Sequence, residues 1–225
     1  MSEYQFTKDW FNWAPAVWQQ LIPMLPSEAG DRAFLEIGSF EGRSAVWLIE
    51  NIMVSGDWID CVDTWEGGEE HGDEDMPAVE ARFDHNIAKA LGGCDTKERP
   101  RHTRYASLAD TEDERKRVYK YKTTSTDMLA QKLSFQLHGF KPEAIPIYDF
   151  VYIDGSHIAK DVLTDACMAW PLLKPNGIMV FDDYMWGNPR DILHRPKPAI
   201  DAFANIFAEH IDIVHVGYQF VCRRK

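Results

Sequence analysis

Short, continuous apolar runs alternate along this chain with longer stretches whose apolar residues recur at helical spacing. The first kind reads as strands buried on both faces, the second as helices with one apolar side. Predicted strands are Ala33-Phe34-Leu35-Glu36-Ile37, Trp58-Ile59-Asp60-Cys61-Val62, Val118 to Lys122, Tyr148 to Ile153, Ile178 to Phe181, Ile211 to Val214 and Tyr218 to Cys222. A helix is predicted over 13–24, with Trp13, Val17, Trp18, Leu21 and Ile22 apolar, Pro15 in its first turn, and Pro23 and Pro26 ending it. Others run from Arg43 to Ile52, Pro77 to Leu91, Asp127 to Leu137 and Ile158 to Leu173, the last stopped by Lys174-Pro175-Asn176-Gly177. A late helix carries Ile200, Phe203, Ala204 and Phe207 on one side. Strands alternating with helices predict an α/β fold with a mostly parallel sheet and helices on both faces.

The chain reads as one domain over 1–225, with an N-terminal helical extension over 1–30. Residues 64–117 break the rhythm: an acidic, glycine-rich loop precedes one clear helix, which predicts a lid or substrate-binding insertion.

Composition narrows the classes. With 225 residues, 45% of them hydrophobic, the chain can bury a sizeable core. A formal net charge of -12 opposes phosphate backbones and argues against nucleic acid as a partner. The basic runs Arg115-Lys116-Arg117 and Arg223-Arg224-Lys225 are expected to be solvated surface. No apolar run is long enough to span a bilayer, and the first residues lack a signal-peptide pattern, so the expected location is cytoplasmic and no membrane partner is expected. Cys61, Cys94, Cys167 and Cys222 form no CxxC pair and are expected as buried free thiols. Trp10, Phe11, Trp13 and Trp18 suit core packing, a contact between copies in a homo-oligomer, or a pocket wall.

The chemistry gathers at predicted strand ends. Open α/β sheets bind ligands beyond the carboxyl ends of their strands. Here those ends carry Asp63, Asp154 and Asp182-Asp183. The first strand runs into Glu36-Ile37-Gly38-Ser39-Phe40-Glu41-Gly42-Arg43-Ser44, where Gly38 and Gly42 permit a tight turn. The turn lacks the third glycine of a dinucleotide fingerprint, and Glu36 and Glu41 suit a cationic ligand better than a pyrophosphate. Asp63 follows Gly42 by 21 residues, near the spacing at which an acid reaches ribose hydroxyls.

This turn, Val62-Asp63-Thr64-Trp65, Ile153-Asp154-Gly155-Ser156-His157 and Leu172-Leu173-Lys174-Pro175-Asn176-Gly177 occur in order, and together they resemble the class I S-adenosylmethionine (SAM)-dependent methyltransferase superfamily. Within it the chain is similar to small-molecule O-methyltransferases of the macrocin and catechol type. The resemblance covers about residues 33 to 222. It implies a Rossmann-like, seven-stranded, mostly parallel sheet with an antiparallel C-terminal strand. It also implies methyl transfer from SAM to a hydroxyl of a small molecule or sugar. By position, Glu36, Gly38, Ser39 and Gly42 would belong to the cofactor turn, with Glu36, Gly38 and Ser39 around the methionine part of SAM. Asp63 would bind the ribose, and Ser125 and Thr126 would lie near adenine unless they only cap a helix. Metal-dependent members suggest Asp154, Asp182 and Asp183 as ligands of Mg²⁺, Mn²⁺ or Ca²⁺. Catechol-type enzymes have Asp-Asn where this chain has Asp182-Asp183, whereas macrocin-type enzymes have a paired Asp. The alternative is that Asp154 faces the SAM amine while Asp182-Asp183 caps a turn.

His157 is the expected general base, with Asp154 beside it at the catalytic centre. His71, in Trp65-Glu66-Gly67-Gly68-Glu69-Glu70-His71, is a second candidate, and Tyr184, Met185 and Trp186 are candidate pocket walls. Two other classes compete: an NAD-linked oxidoreductase on a similar sheet, and a non-catalytic SAM-fold binding protein. A nucleic-acid methyltransferase is disfavoured, because Asp154-Gly155-Ser156-His157 stands where DNA amino-methylating enzymes carry a Pro-Pro-aromatic turn.

Overall fold

Alternate residues of β1 (Ala33–Ile37) enter different cores, Phe34 on one side of the sheet and Leu35 on the other. The same division separates Cys61 from Val62 in β2 (Trp58–Asp63) and Phe150 from Val151 in β6 (Tyr148–Ile153). Strands that are apolar on both faces need helices on both faces. One core receives Trp18 of α1 (Ala14–Leu21), Ile49 of α2 (Arg43–Asn51) and Phe83 of α3 (Met76–Ala90). The other receives Leu129 of α4 (Ser125–Leu137), Ala166 of α5 (Ala159–Ala169) and Phe203 of α6 (Lys197–Ile206). The computed structural model describes residues 3–68, 71–72, 74–99, 102–108, 115–137, 146–187 and 191–225.

Among the described residues the sheet has nine strands, in the order β3-β4-β5-β2-β1-β6-β7-β9-β8. Seven of them are the predicted ones, completed by β5 (Arg117–Lys122), β7 (Leu173–Phe181), β8 (Ile211–Val216) and β9 (Phe220–Arg224). Strands β5, β2, β1, β6 and β7 are parallel, and β9 runs antiparallel to both β7 and β8. This is the expected Rossmann-like architecture, a mostly parallel sheet with antiparallel strands at its C-terminal edge.

The expected count of seven is corrected by a hairpin, β3 (Cys94–Arg99) and β4 (His102–Ser107), which pairs antiparallel onto β5. It lies inside the expected insertion, which therefore extends the sheet as well as supplying α3. Its outer strand, Cys94-Asp95-Thr96-Lys97-Glu98-Arg99, is polar almost throughout and has no alternation to read. Charge on an edge strand also discourages pairing with other chains.

Other boundaries shift. α5 stops at Ala169, a short 3-10 turn spans Trp170–Leu172, and β7 already begins at Leu173, so the predicted stop Lys174–Gly177 lies within a strand. Asn176 has φ 63 there, and the pairing with β6 shifts register between Tyr148 and Phe150. Cys61 and Cys222 are buried as expected, but Cys94 is half-buried and Cys167 exposed. The basic runs are not merely solvated: Lys116 Nζ donates to Ile49 O, Arg117 to Gly56 O and Arg224 to Trp170 O. No helix among the described residues is long and apolar enough to cross a membrane.

Candidate active site at the strand ends

Parallel register brings the chemistry together. Ile37 of β1 pairs with Val62 of β2 and Ile153 of β6, and Ile153 pairs with Phe181 of β7. The next residues, Gly38, Asp63, Asp154 and Asp182, therefore emerge side by side at one edge. The neighbours of β1 are β2 and β6, so Gly38 and Asp154 flank the point where strand order reverses. These ends open into one cavity of about 770 Å³, lined among others by Gly38, Asp63, Ser125, Thr126, Asp154, His157, Asp182 and Asp183. That volume is within the range of small-molecule sites.

The turn after β1 is shaped by close contact. Gly38 has φ 85, and a Cβ there would lie 1.9 Å from the Asp154 carbonyl oxygen. Asp63 holds the turn: its Oδ2 accepts from the Ser39 and Phe40 amides at 3.0 and 2.9 Å, and its Oδ1 from the Trp65 amide at 2.8 Å. A carboxylate offers about four acceptor positions, so Asp63 retains capacity toward the cavity. Gly42 lies outside the cavity wall, at the start of α2, where a Cβ would meet the Phe83 ring at 2.9 Å.

Two acids of this turn do not face the cavity. Glu36 is fully buried beneath it, bonded by the Ser44 hydroxyl, and burial pushes its carboxyl up to about 7. Ser39, also buried, lies behind the wall formed by Gly38 and Phe40. Glu41 points away altogether: it accepts from Thr7 N at 2.7 Å and Thr7 Oγ1 at 2.8 Å, and pairs with Arg82. Its expected affinity for a cationic ligand is spent inside the protein, pinning the N-terminal segment to the turn.

At the far end Ser125 and Thr126 both line the cavity. The helix cap is supplied instead by Thr124, whose Oγ1 accepts from the Asp127 amide at 3.1 Å. Ser125 Oγ donates to Asp165 Oδ1 at 2.5 Å. Asp165 had no motif to mark it; only its place on the sheet-facing side of α5 distinguishes it. Burial pushes its carboxyl up to about 6.

At the other end, Asp154, His157 and Asp183 each present an atom within 4.8 Å of the others. His157 Nε2 lies 2.7 Å from Asp183 Oδ2. Asp182 lines the same cavity, but its Oδ1 accepts from the Asp183 amide and its Oδ2 from Gln219 Nε2 at 3.1 Å and from the Tyr152 hydroxyl. The converging group is thus Asp154, His157 and Asp183, with Asp182 bonded behind it. Burial, and then the charges of Asp182 and Asp183, hold the Asp154 carboxyl well above the usual range; burial and Asp183 push Asp182 up to about 6. The Tyr152 hydroxyl lies 2.8 Å from Asp154 Oδ2 and closer to Asp182 Oδ2. One phenolic proton cannot serve both acids, so the pair retains a proton or takes a cation in its place. Crowded carboxylates beside an imidazole are a donor set that fits a divalent ion.

Gln219 and Tyr218, for which the sequence offered no functional signal, complete this end beside residues it had singled out. Trp18 of α1 donates to Gln219 Oε1 at 3.0 Å, linking the N-terminal helix to Asp182. The Tyr218 hydroxyl donates to Asp183 Oδ1 at 2.7 Å. His71 lines the cavity, stacked on Phe40 at 5.3 Å, with its Nδ1 accepting from the Gly68 amide. Glu69 and Glu70 of that loop lie outside the described residues. Trp10 and Trp13 line the rim, whereas Phe11 and Trp18 join the core; Trp186 lines the cavity, while Tyr184 is buried in the second core and Met185 is exposed.

A Rossmann-like sheet with this glycine turn and these strand-end acids defines a class I methyltransferase. A family model described as a methyltransferase domain matches residues 35–184, and the chain belongs to that family. This membership sets aside the NAD-linked oxidoreductase. No curated protein matches the chain by sequence. Among solved structures, an O-methyltransferase from Bacillus cereus in complex with SAH is similar at 16% identity and TM-score 0.59, over 99% of this chain and 84% of that one. TomG, an O-methyltransferase from Streptomyces achromogenes involved in tomaymycin synthesis and solved with SAM, is similar at 17% identity and TM-score 0.54, over 86% and 72%. MycE, from the mycinamycin biosynthetic pathway and solved with Mg, SAH and mycinamycin VI, is similar at 14% identity and TM-score 0.51, over 98% of this chain but half of that one.

Proposed function

We propose that this protein transfers a methyl group from SAM to a hydroxyl of a small molecule or sugar, assisted by a divalent cation, Mg²⁺, Mn²⁺ or Ca²⁺. The observation that carries this reading is the single cavity joining Gly38 and Asp63 to Asp154, His157 and Asp183. No Lys or Arg is among the described residues lining it, which suits a sulfonium and opposes a pyrophosphate.

SAM supplies a methyl group already activated on sulfur, and the cation supplies Lewis acidity that eases loss of the hydroxyl proton. The chain's own residues bind, align and remove a proton. Gly38, Phe40 and Asp154 enclose the methionine part, with Glu36 and Ser39 supporting the turn from below. The remaining acceptor position of Asp63 takes a ribose hydroxyl, and Ser125, Thr126 and Asp165 bound the adenine end. Asp154 and Asp183 are the anionic cation ligands, held in place by Asp182 and Tyr152. His157 is poised to accept the proton of the attacking hydroxyl, and Asp183 stabilises its charged form.

The glycine-rich start of the insertion, lined by Gly67, Gly68 and His71, is the covering loop, while its later part serves the sheet. The exposed faces of Trp10 and Trp13 belong to the acceptor and not to a second copy. A cytoplasmic location agrees with four free thiols.

Calorimetry with SAH and with NAD⁺ tests the reading: SAH binds and NAD⁺ does not. Binding of NAD⁺ alone would overturn it.

A further inference from the structure

Antiparallel register sets two donors against two acids. Phe181 of β7 pairs with Phe220 of β9, so the residues just beyond, Asp182 and Asp183, stand opposite Gln219 and Tyr218. Gln219 Nε2 donates to Asp182 Oδ2 at 3.1 Å, and the Tyr218 hydroxyl to Asp183 Oδ1 at 2.7 Å. The Tyr184 amide donates to Tyr218 O at 2.9 Å and ties the two segments together.

Gln219 differs from Tyr218 in being held from behind. Its Oε1 accepts from the Trp18 indole at 3.0 Å, although the two residues are 201 positions apart. An indole N–H can only donate, whereas a carboxamide can turn either its oxygen or its NH2 group to a neighbour. Trp18 therefore takes the oxygen and leaves the NH2 group for Asp182. Trp18, Gln219 and Asp182 are 0%, 2% and 6% exposed, so bulk water does not compete for these bonds.

The indole is itself fixed. It meets the rings of Tyr152 at 4.7 Å, Phe150 at 5.0 Å and Phe11 at 4.9 Å, each edge-on. Tyr152 is the other side chain bonded to Asp182. One residue of α1 thus touches both side chains that hold this acid. Core packing asks only for a large ring at this position; the N–H serves Gln219. Trp18 and Gln219 both lie outside residues 35–184, the part of the chain that the methyltransferase family model matches.

We propose that Trp18 and Gln219 are positioning residues for the cation. Trp18 sets the sense of the Gln219 amide, and Gln219 fixes the Asp182 carboxylate. Asp182 Oδ1 in turn holds the Asp183 amide at 2.8 Å, which keeps the Asp183 carboxylate turned toward Asp154 and His157. Helix α1 thereby serves the reacting end as well as the core. Outer partners of this kind typically account for about 10- to 100-fold in metal affinity. This rests on the cation-assisted methyl-transfer reading and adds to it two residues that lie behind the converging group.

Two conservative variants test the chain of contacts. Trp18→Phe keeps a buried ring and removes the N–H; Gln219→Met keeps the side-chain length and removes the amide. Mg²⁺ is titrated by calorimetry into the full chain saturated with SAH, for the unaltered protein, each single variant and the double variant. Each single variant should bind Mg²⁺ about tenfold more weakly, with SAH affinity unchanged. The double variant should bind it no more weakly than Gln219→Met alone, because Trp18 acts through Gln219. A role in packing alone would lower the melting temperature and leave Mg²⁺ affinity as it was. Unaltered Mg²⁺ affinity in either single variant, or losses that add in the double variant, overturn the proposal. Should Gln219→Met fail to fold, Trp18→Phe decides alone. An unaltered protein that binds SAH but not Mg²⁺ instead brings down the cation reading itself, and this proposal with it.

Discussion

His157 Nε2 and Asp183 Oδ2 lie 2.7 Å apart although they follow different strands, β6 and β7. Asp183 reaches this position with φ 54, a left-handed conformation uncommon outside glycine. The reversal separates the two acids: Asp182 turns toward Tyr152 and Gln219, Asp183 toward the imidazole. If His157 takes the acceptor's proton, His157→Gln should lower kcat by about 10²- to 10⁴-fold while SAH affinity is unchanged. Single-turnover kinetics beside calorimetry separates this from a folding defect, and a variant with normal kcat would remove His157 from the chemistry.

The two acids should differ in their response to metal. Asp183→Asn removes a converging carboxylate, so Mg²⁺ should neither raise its turnover nor shift its melting temperature. Asp182→Asn removes a supporting hydrogen bond and should weaken Mg²⁺ by about 10- to 100-fold while retaining saturation. Titrations followed by thermal shift check both. An unchanged Mg²⁺ midpoint in both variants speaks against a cation here.

Asp63 accepts three backbone amides in addition to any ligand. Asp63→Asn replaces one acceptor oxygen by a donor, so the turn loses both a tie and a ribose contact. Stability should fall by about 1–3 kcal/mol and SAM affinity by tenfold or more. Denaturant unfolding measures the first quantity and calorimetry the second; wild-type values for both would show that the turn holds itself.

Gly38 tests the packing of β1 against β6. A methyl group there meets the Asp154 carbonyl oxygen at 1.9 Å, and backbone cannot yield as a side-chain tip can. Gly38→Ala is expected to yield little folded protein, and any that folds should not bind SAH. Normal SAH binding by this variant would show that the two strand ends are not in this contact.

Asp165 carries a pH dependence of stability. Its carboxyl is pushed up from the usual 3.8 to about 6, chiefly by burial. The folded protein therefore holds this proton more tightly than the unfolded chain. The resulting stability is fully present below about 4 and is lost as pH rises through about 6. Asp165→Asn keeps an acceptor for Ser125 and removes the titration. Its unfolding free energy should fall less between pH 4 and pH 7 than that of the wild type, the difference reaching at most about 3 kcal/mol. Parallel curves for the two proteins would rule this contribution out.

Much of this fold was legible because its signals are local. Tyr148 to Ile153 is apolar except at Asp149 and rich in β-formers, and a run of that length bounded by Asp154-Gly155 marks a strand covered on both faces. Helix α2 starts where Gly42 permits a left-handed turn, and the acid that ends β2 and those that follow β6 and β7 stand directly after apolar runs. The hairpin β3–β4 was hidden because an edge strand needs no apolar alternation. The boundary at Leu173 was misplaced because Lys174-Pro175-Asn176-Gly177 bulges out between two paired residues, Leu173 opposite Tyr148 and Ile178 opposite Phe150, and so interrupts the strand without ending it.

By itself the sequence determined the alternation of elements, the glycine turn and the set of acids at the strand ends, since each depends on residues close together in the chain. Which of those groups meet was decided only in three dimensions. Ser125 reaches Asp165 across 40 residues, Glu41 turns from the cavity to Thr7, and His157 rather than Asp182 joins Asp154 and Asp183. Such pairings follow from the register of parallel strands, the packing of helices across them and one left-handed residue after β7. None of these is encoded in the spacing of the residues they bring together.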